Sequence, residues 1–441
     1  MERKIIKDLY SWKAEALRKP LVLDGARQVG KTTILHQFGD SAFKRKVYLN
    51  FERDDELKGY FEDTLDPKSI IQTLSLHTGI EITPKDTLII FDEVQECPSA
   101  LNSLKYFCEE AREYHVIAAG SLLGVKVANK GGFPVGKVNF LHMFPMTFFE
   151  FLRACGESKL CDYLDVYPSI APLPIGLHNK LMKYLKDYYF VGGMPEAVAT
   201  YLNSHNYEKA REIHWEILDA YQRDFAKHAS GNQVMKIMTI WDQVHRQLAR
   251  ENKKFIFNAI RASARGRDYE EAILWLSEAG MIHKCLHISS PHLPIDSYVD
   301  QNIFKVYMLD VGLLGARSNL SAKTIIENNR LFTEFKGALT ENFVAQEFIA
   351  RGDHNLYYWT SAGIAEIDFI TEYEQQIFPL EVKSSDSSKK KSLISYGKKY
   401  PESILSRATA MNLKIDGRIV NYPLYLINRF PLTFFDSHSP D

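Results

Sequence analysis

Cysteine is scarce in this 441-residue chain, with five residues scattered at Cys97, Cys108, Cys155, Cys161 and Cys285. The number is odd, and no C-x-x-C pair or Cys/His cluster has zinc spacing. That argues against a disulfide framework and a zinc site and fits a reducing compartment. No apolar stretch approaches the roughly 20 residues of a membrane span. The opening Met1-Glu2-Arg3-Lys4-Ile5-Ile6-Lys7-Asp8 lacks the apolar segment of a signal peptide. A soluble, cytoplasmic protein with no membrane partner is expected. Net charge is lacking too: 54 Lys and Arg face 55 Asp and Glu, for a formal charge of -1. No global basic field points to nucleic acid, so any such contact must come from a local patch. There is no internal repeat, and low complexity is confined to Ser384-Ser385-Asp386-Ser387-Ser388-Lys389-Lys390-Lys391. The rest is ordinary globular composition, 45% hydrophobic and 25% charged. That excludes a collagenous or wholly disordered chain, and at about 100–200 residues per domain the length implies three or four units.

The first third alternates short β-branched or aliphatic runs with helical patterns, the mark of a parallel sheet covered by helices. Five strands are predicted, at Leu21–Leu23, Val47–Phe51, Leu88–Asp92, His115–Ala119 and Val138–Leu141. The first, third and fourth are almost continuously apolar and should be central. From about Glu150 to Arg223 the pattern is helical, broken by Val191-Gly192-Gly193-Met194-Pro195-Glu196. Pro168 to Pro174 reads as a linker. Helices around Ile240–Leu248 and Tyr269–Ala279, stopped at Gly280 and followed by the strand-like Met281–Ile288, suggest a winged helix. The last part reads as a helix at about 333–350 and then strands at Leu356–Thr360, Ala365–Thr371 and Gln376–Lys383, a second α/β unit. Pro379 inside the last strand removes a ladder donor and suggests an edge or a bulge.

Gly25-Ala26-Arg27-Gln28-Val29-Gly30-Lys31-Thr32 matches G-x-x-x-x-G-K-[ST], with a strand before it and an apolar helical run from Thr33 after it. The glycines let backbone N–H groups and the positive helix end face an anion. Lys31 would reach the β and γ phosphates of ATP, and Thr32 would direct its hydroxyl to Mg²⁺. Leu88-Ile89-Ile90-Phe91-Asp92-Glu93 is a buried strand ending in paired acids, suited to a magnesium shell at Asp92 and a water-orienting base at Glu93. The alternatives are a glycine turn that binds nothing and a solvated Asp-Glu turn. Ser121, leaving the next strand, is a candidate to sense the γ-phosphate or hold the lytic water, against an ordinary turn serine. A cation for the charge developing on the γ-phosphate has candidates in Arg27, Lys137 and Arg153.

These segments, with Thr33 closing the loop and Phe91-Asp92-Glu93-Val94-Gln95, Gly120-Ser121, Phe144-Pro145-Met146-Thr147-Phe148-Phe149-Glu150-Phe151 and Gly192-Gly193-Met194-Pro195-Glu196 in order, resemble a large prokaryotic family. Its members are predicted ATPases of the AAA+ superfamily with a C-terminal domain of uncharacterised function. The resemblance covers nearly the whole chain. It implies an α/β protein: a P-loop AAA-type core at 1–155 with a parallel sheet in the order 5-1-4-3-2, a helical lid at 156–225, a winged helix at 226–300 and a restriction-endonuclease-like α/β domain at 301–441. Relatives usually show Gly-Arg before the Pro-x-x-Phe segment, whereas this chain has Gly136-Lys137. Lysine keeps the charge and loses the forked donor, so an arginine-finger role does not carry over to it.

In the last unit, twelve residues separate Asp368 from Glu381-Val382-Lys383, a D…E-x-K pattern. It resembles the PD-(D/E)XK nuclease site: two carboxylates to hold Mg²⁺, Lys383 to steady a hydroxide or the phosphate, and Glu341 as a further acid from the preceding helix. The open alternatives are a scaffold that binds nucleic acid without cutting and a solvated strand-end ion pair. Arg261, Arg265, Arg267, Lys253-Lys254 and Lys389-Lys390-Lys391 are candidate phosphate contacts, with solvated helix ends and loops as the other reading. Trp359 and Tyr357-Tyr358 read as core rather than base-stacking platforms. The function expected is an Mg²⁺-dependent ATPase whose nucleotide state controls a DNA-binding or DNA-cleaving C-terminal domain. The alternative is a nucleotide-gated regulatory or signalling module that binds DNA or protein without nuclease activity. Homo-oligomers or nucleotide-dependent assembly are compatible with either.

Overall fold

The five apolar runs of the first third become five parallel strands, β1 (Leu21–Gly25), β2 (Arg45–Asn50), β3 (Thr87–Asp92), β4 (His115–Ala119) and β5 (Asn139–Met143), in the sheet order β2-β3-β4-β1-β5. β1, β3 and β4 are buried along their whole length and are the interior strands, as their apolar runs required. Val47, Leu49, Phe51, Ile89, Phe91 and Val116 pack with Phe61, Leu74, Leu104 and Phe107 from the covering helices. The computed structural model describes residues 1–121, 136–167, 171–228, 231–250, 254–260, 265–323, 330–361, 365–384 and 391–431. Arg261, Lys253, Lys389 and Lys390 lie outside the described residues, as does 168–170 of the expected linker. No described helix is long and apolar enough to cross a membrane.

The chain divides into two units, Met1–Phe144 with Glu278–Gly280, and Pro145–Ser277 with Met281–Asp441. The second unit carries an eight-stranded mixed sheet of β6 (Ile282–Ile288), β7 (Val299–Met308), β8 (Leu356–Thr360), β9 (Glu366–Tyr373), β10 (Gln376–Val382), β11 (Leu405–Thr409), β12 (Lys414–Asp416) and β13 (Ile419–Pro423). Its order is β12-β13-β11-β10-β9-β8-β6-β7. Helices Gly231–Leu248 and Gly266–Glu278 do precede a β6–β7 hairpin, but β6 also pairs in parallel with β8. The hairpin is therefore part of the C-terminal sheet, and the expected boundary at 300 falls inside β7. β10 is not an edge strand: it pairs with β9 from Gln376 and with β11 only from Leu380. Pro379 thus stands just before the β11 ladder begins, where its missing N–H falls outside the pairing with β11.

The motif residues 145–151 and 192–196 are explained by packing within this second unit. Thr147 and Glu150 cap the helix Phe148–Ala154 reciprocally, and Met146 N–H donates to the Gly193 carbonyl at 2.6 Å. Gly193 N–H donates to buried Asp310 at 2.6 Å, which also caps the helix Val311–Arg317 through Leu313 N–H at 3.0 Å. A Cβ on Gly193 would lie 2.1 Å from the Met146 carbonyl oxygen, and one on Gly192 2.3 Å from Asp310 Oδ1. Only glycine lets these backbones meet.

Candidate nucleotide site and C-terminal carboxylate cluster

The loop Gly25–Gly30 leaves the C-terminal end of β1 and turns into the helix Lys31–Ala42. Gly25 (φ 145°) and Gly30 (φ 97°) hold backbone that side chains rarely adopt, and Gln28 is left-handed as well. Gly25 has a packing reason besides, because a Cβ there would lie 2.2 Å from the Met143 carbonyl oxygen. Ala26 and Val29 are buried, and Thr33 follows in the first helical turn. Arg3 braces the loop: its guanidinium donates to the Val29 carbonyl at 3.0 Å and to the Phe144 carbonyl at 2.6 Å. Lys31 Nζ donates to the Gly25 and Ala26 carbonyls, both at 2.9 Å. Loss of water lowers the Lys31 ammonium to about 8, against the pull of Glu93, Asp92 and Asp24.

The two halves of the site meet. Thr32 Oγ1 donates to Asp92 Oδ2 at 2.9 Å across 60 residues of sequence. Tyr48, on β2 beside β3, donates to the same oxygen at 2.6 Å and receives Asn50 Nδ2 at 3.2 Å. Burial, with Asp92 adding to it, pushes the Tyr48 phenol up to about 12, so it remains a donor. Glu93 sits at φ 51°, and its carboxylate accepts from Gln95 Nε2 at 2.5 Å. Asp24, the acid before the loop, is buried and pairs with His142 of β5. Ser121 follows β4, half-buried, one residue after Gly120, whose N–H donates to the Leu23 carbonyl at 3.4 Å. Of the candidate cations, Arg27 stands in the loop itself. Lys137 is paired with Glu109 at 2.8 Å, and Arg153, in the second unit, with Asp162 and Asp165 at 2.8 and 3.1 Å.

A family model described as an AAA domain matches residues 17–152. Residues 17–152 are an AAA-type ATPase domain. Residues 182–324 and 336–427 match two further models, each described as a domain of unknown function (DUF8612 and DUF4143). No protein of curated function matches the chain. Among solved structures, the chain is similar to the Walker-type ATPase PABY2304 of Pyrococcus abyssi, at 12% identity and a TM-score of 0.44, covering 72% of this chain and 95% of that one. It is also similar to the ORC2 protein of Aeropyrum pernix in its ADPNP–ADP complexes, at 12% identity and a TM-score of 0.38, covering 78% and 95%. AMPPCP-bound DnaA from Aquifex aeolicus follows at 13% and 0.23, covering 62% and 85%. At such TM-scores these likenesses carry no functional weight, and the ATPase domain rests on its family match and its sheet.

In the second unit, Asp368 and Glu381 come from the neighbouring strands β9 and β10, and Glu341 from the helix Arg330–Arg351. Asp368 Oδ2 accepts the Val382 N–H at 2.7 Å, and Lys383 Nζ reaches Glu381 Oε1 at 3.1 Å. Burial opposes the Lys383 charge, but Asp368 and Glu381 outweigh it and raise the ammonium above the ordinary lysine range. Sequence reasoning missed Lys305 of β7. Its buried ammonium lies 3.8 Å from both Glu341 and Asp368 and pairs with Glu366. Burial pulls this group down, and the three carboxylates overcome it, so it stays charged. Tyr307 completes the cluster, donating to Glu341 Oε2 at 3.2 Å. Among the described residues no group of three or more His, Cys, Asp or Glu is arranged to hold a metal ion. Of the basic candidates, Arg267 is exposed 4.0 Å from Asp268, and Arg265 gives its backbone N–H to Asp268 at 3.2 Å. Lys391 opens the helix Lys391–Lys399. Trp359 and Tyr358 are core residues, buried to 1% and 2% exposure.

Proposed function

We propose that the chain is an Mg²⁺-dependent ATPase whose nucleotide state controls a DNA-binding or DNA-cleaving C-terminal domain. The observation that carries the ATPase mechanism is the 2.9 Å hydrogen bond from Thr32 to Asp92 beside Lys31, which brings loop and acid strand to one place. Thr32 and Asp92 offer two hard oxygen donors side by side, the chemistry Mg²⁺ takes, and they would hold it. The ion, when bound, offsets charge on the β and γ phosphate oxygens. Lys31 exchanges the Gly25 and Ala26 carbonyls for phosphate oxygens, and the loop's N–H groups line the rest of the anion. Glu93 orients the attacking water and takes its proton; on this reading Gln95 holds it aside until nucleotide binds. Ser121 reads the γ-phosphate from the end of β4.

Asp368, Glu381, Lys383 and Glu341 support a phosphodiester-handling site in the second unit. Lys305 favours the version that binds without cutting, because a tethered ammonium already stands among the carboxylates Glu341, Glu366 and Asp368 and offsets part of the charge that would draw a metal ion. A homo-oligomer that assembles with nucleotide is compatible with both. The test of the ATPase half is steady-state hydrolysis with wild type and Lys31→Ala; turnover undiminished in the variant sinks this mechanism.

A further inference from the structure

β10, β11 and β13 run parallel, and their register sets Glu381 beside Arg407 and Arg407 beside Asn421. Cross-strand partners at one register position point to the same face, so these side chains form a row across three parallel strands. Thr409, two residues beyond Arg407 on that face, donates to Asn421 Oδ1 at 2.8 Å, and Asn421 Nδ2 donates to the Asn412 carbonyl at 2.9 Å. That end of the row is satisfied. Its other end is not. Arg407 is 4% exposed, and neither its Nε nor its Nη1 has a hydrogen-bond partner among the described residues. Glu381 is 2% exposed, and its Oε2 likewise has none.

A buried charge without a partner is strongly unfavourable, and two opposite charges side by side would normally close on each other. Here Glu381 instead spends its other oxygen on Lys383. Lys383 also supplies an opening, since its side chain is 36% exposed while Glu381 and Arg407 are enclosed.

We propose that Arg407 is the anchor for a phosphate oxyanion at this face, its guanidinium fork taking two phosphate oxygens beside Lys383. The chemistry is shared by a nucleic-acid backbone and by free phosphate. The proposal rests on the reading of the second unit as a phosphodiester-handling domain and gives that reading its gripping residue. A forked, permanently charged donor suits a phosphate better than the single point of Lys383, which Glu381 already engages.

The test uses the full chain saturated with ADP, so that the P-loop is filled. A labelled single-stranded oligodeoxynucleotide, its duplex and inorganic phosphate are titrated into wild type, Arg407→Met and Arg407→Lys. The expected result is at least about tenfold weaker oligonucleotide binding by Arg407→Met, with the slope of log affinity against log salt reduced by about one counterion. Arg407→Lys keeps the slope and recovers part of the affinity. Binding and slope unchanged in a folded Arg407→Met overturn the anchor and leave a DNA-binding domain standing. Phosphate binding that depends on Arg407, with no oligonucleotide bound by wild type, keeps the anchor and removes DNA as the ligand. Should Arg407→Met fail to fold, wild type decides: phosphate must raise its melting temperature in the presence of ADP, and no rise overturns the proposal.

Discussion

Raising the pH from 7 to 9 should weaken ATP binding by about tenfold, because Lys31, the proposed phosphate ligand, loses its proton. In the nucleotide-free loop the Lys31 ammonium is lowered from 10.5 to about 8, burial outweighing Glu93, Asp92 and Asp24. A group with that value is about 90% charged at pH 7 and about 10% charged at pH 9. ATP binds the charged form, and the triphosphate then holds the proton on. Affinity is therefore near its maximum at pH 7 and below and is lost as pH rises through 8, by about 1.4 kcal/mol at pH 9. The folding linkage runs the other way, since a depressed lysine favours the nucleotide-free fold as pH rises from 8 toward 10.5. The assay is equilibrium titration with a fluorescent ATP analogue at fixed free Mg²⁺, beside Lys31→Arg, whose guanidinium stays charged throughout. Wild-type affinity that changes less than about twofold over this range, or that falls in parallel with Lys31→Arg, refutes the reasoning.

Three further outcomes are expected. Glu93→Gln should bind ATP as wild type does and hydrolyse it about 10²–10⁴-fold more slowly, measured as phosphate release against nucleotide affinity. Gly193→Ala should lower stability by about 2 kcal/mol or more in denaturant titration, because its Cβ meets the Met146 carbonyl at 2.1 Å, whereas the open Gly59→Ala should not. Glu347, buried and accepting the Phe148 N–H at 2.8 Å, is raised by burial from 4.5 to about 8. Its contribution is present below pH 4.5 and lost as pH rises through 8, so the wild-type melting temperature should fall relative to Glu347→Gln between pH 6 and 9.

The candidate nucleotide site was legible as two motifs because its chemistry is local: an eight-residue loop and an acid pair at a strand end each carry their own spacing. Their union through Thr32 and Asp92 followed from the strand order. Tyr48 was not legible, since a tyrosine in Val47-Tyr48-Leu49 reads as strand propensity, and only the β2–β3 pairing turns its hydroxyl into a partner for Asp92. Lys305 was hidden in the same way, inside the apolar run Phe304-Lys305-Val306, where its three carboxylate partners lie 36 to 63 residues away. The β6–β7 hairpin was seen as strand-like, but its place in the larger sheet depends on a parallel pairing with β8 that no local pattern encodes. Arg407 and strands β11 to β13 follow the low-complexity stretch, past the last motif that spacing could recognise.

The central claim is that nucleotide state governs the C-terminal domain, and the most direct measurement is DNA binding and cleavage in Mg²⁺ with and without ATP. Wild type would be run beside Lys31→Ala and Asp368→Ala on linear single- and double-stranded substrates. The account predicts that ATP changes the wild-type affinity or cleavage and leaves Lys31→Ala unmoved. DNA handling that is identical with and without ATP, in a protein that hydrolyses ATP, would contradict it.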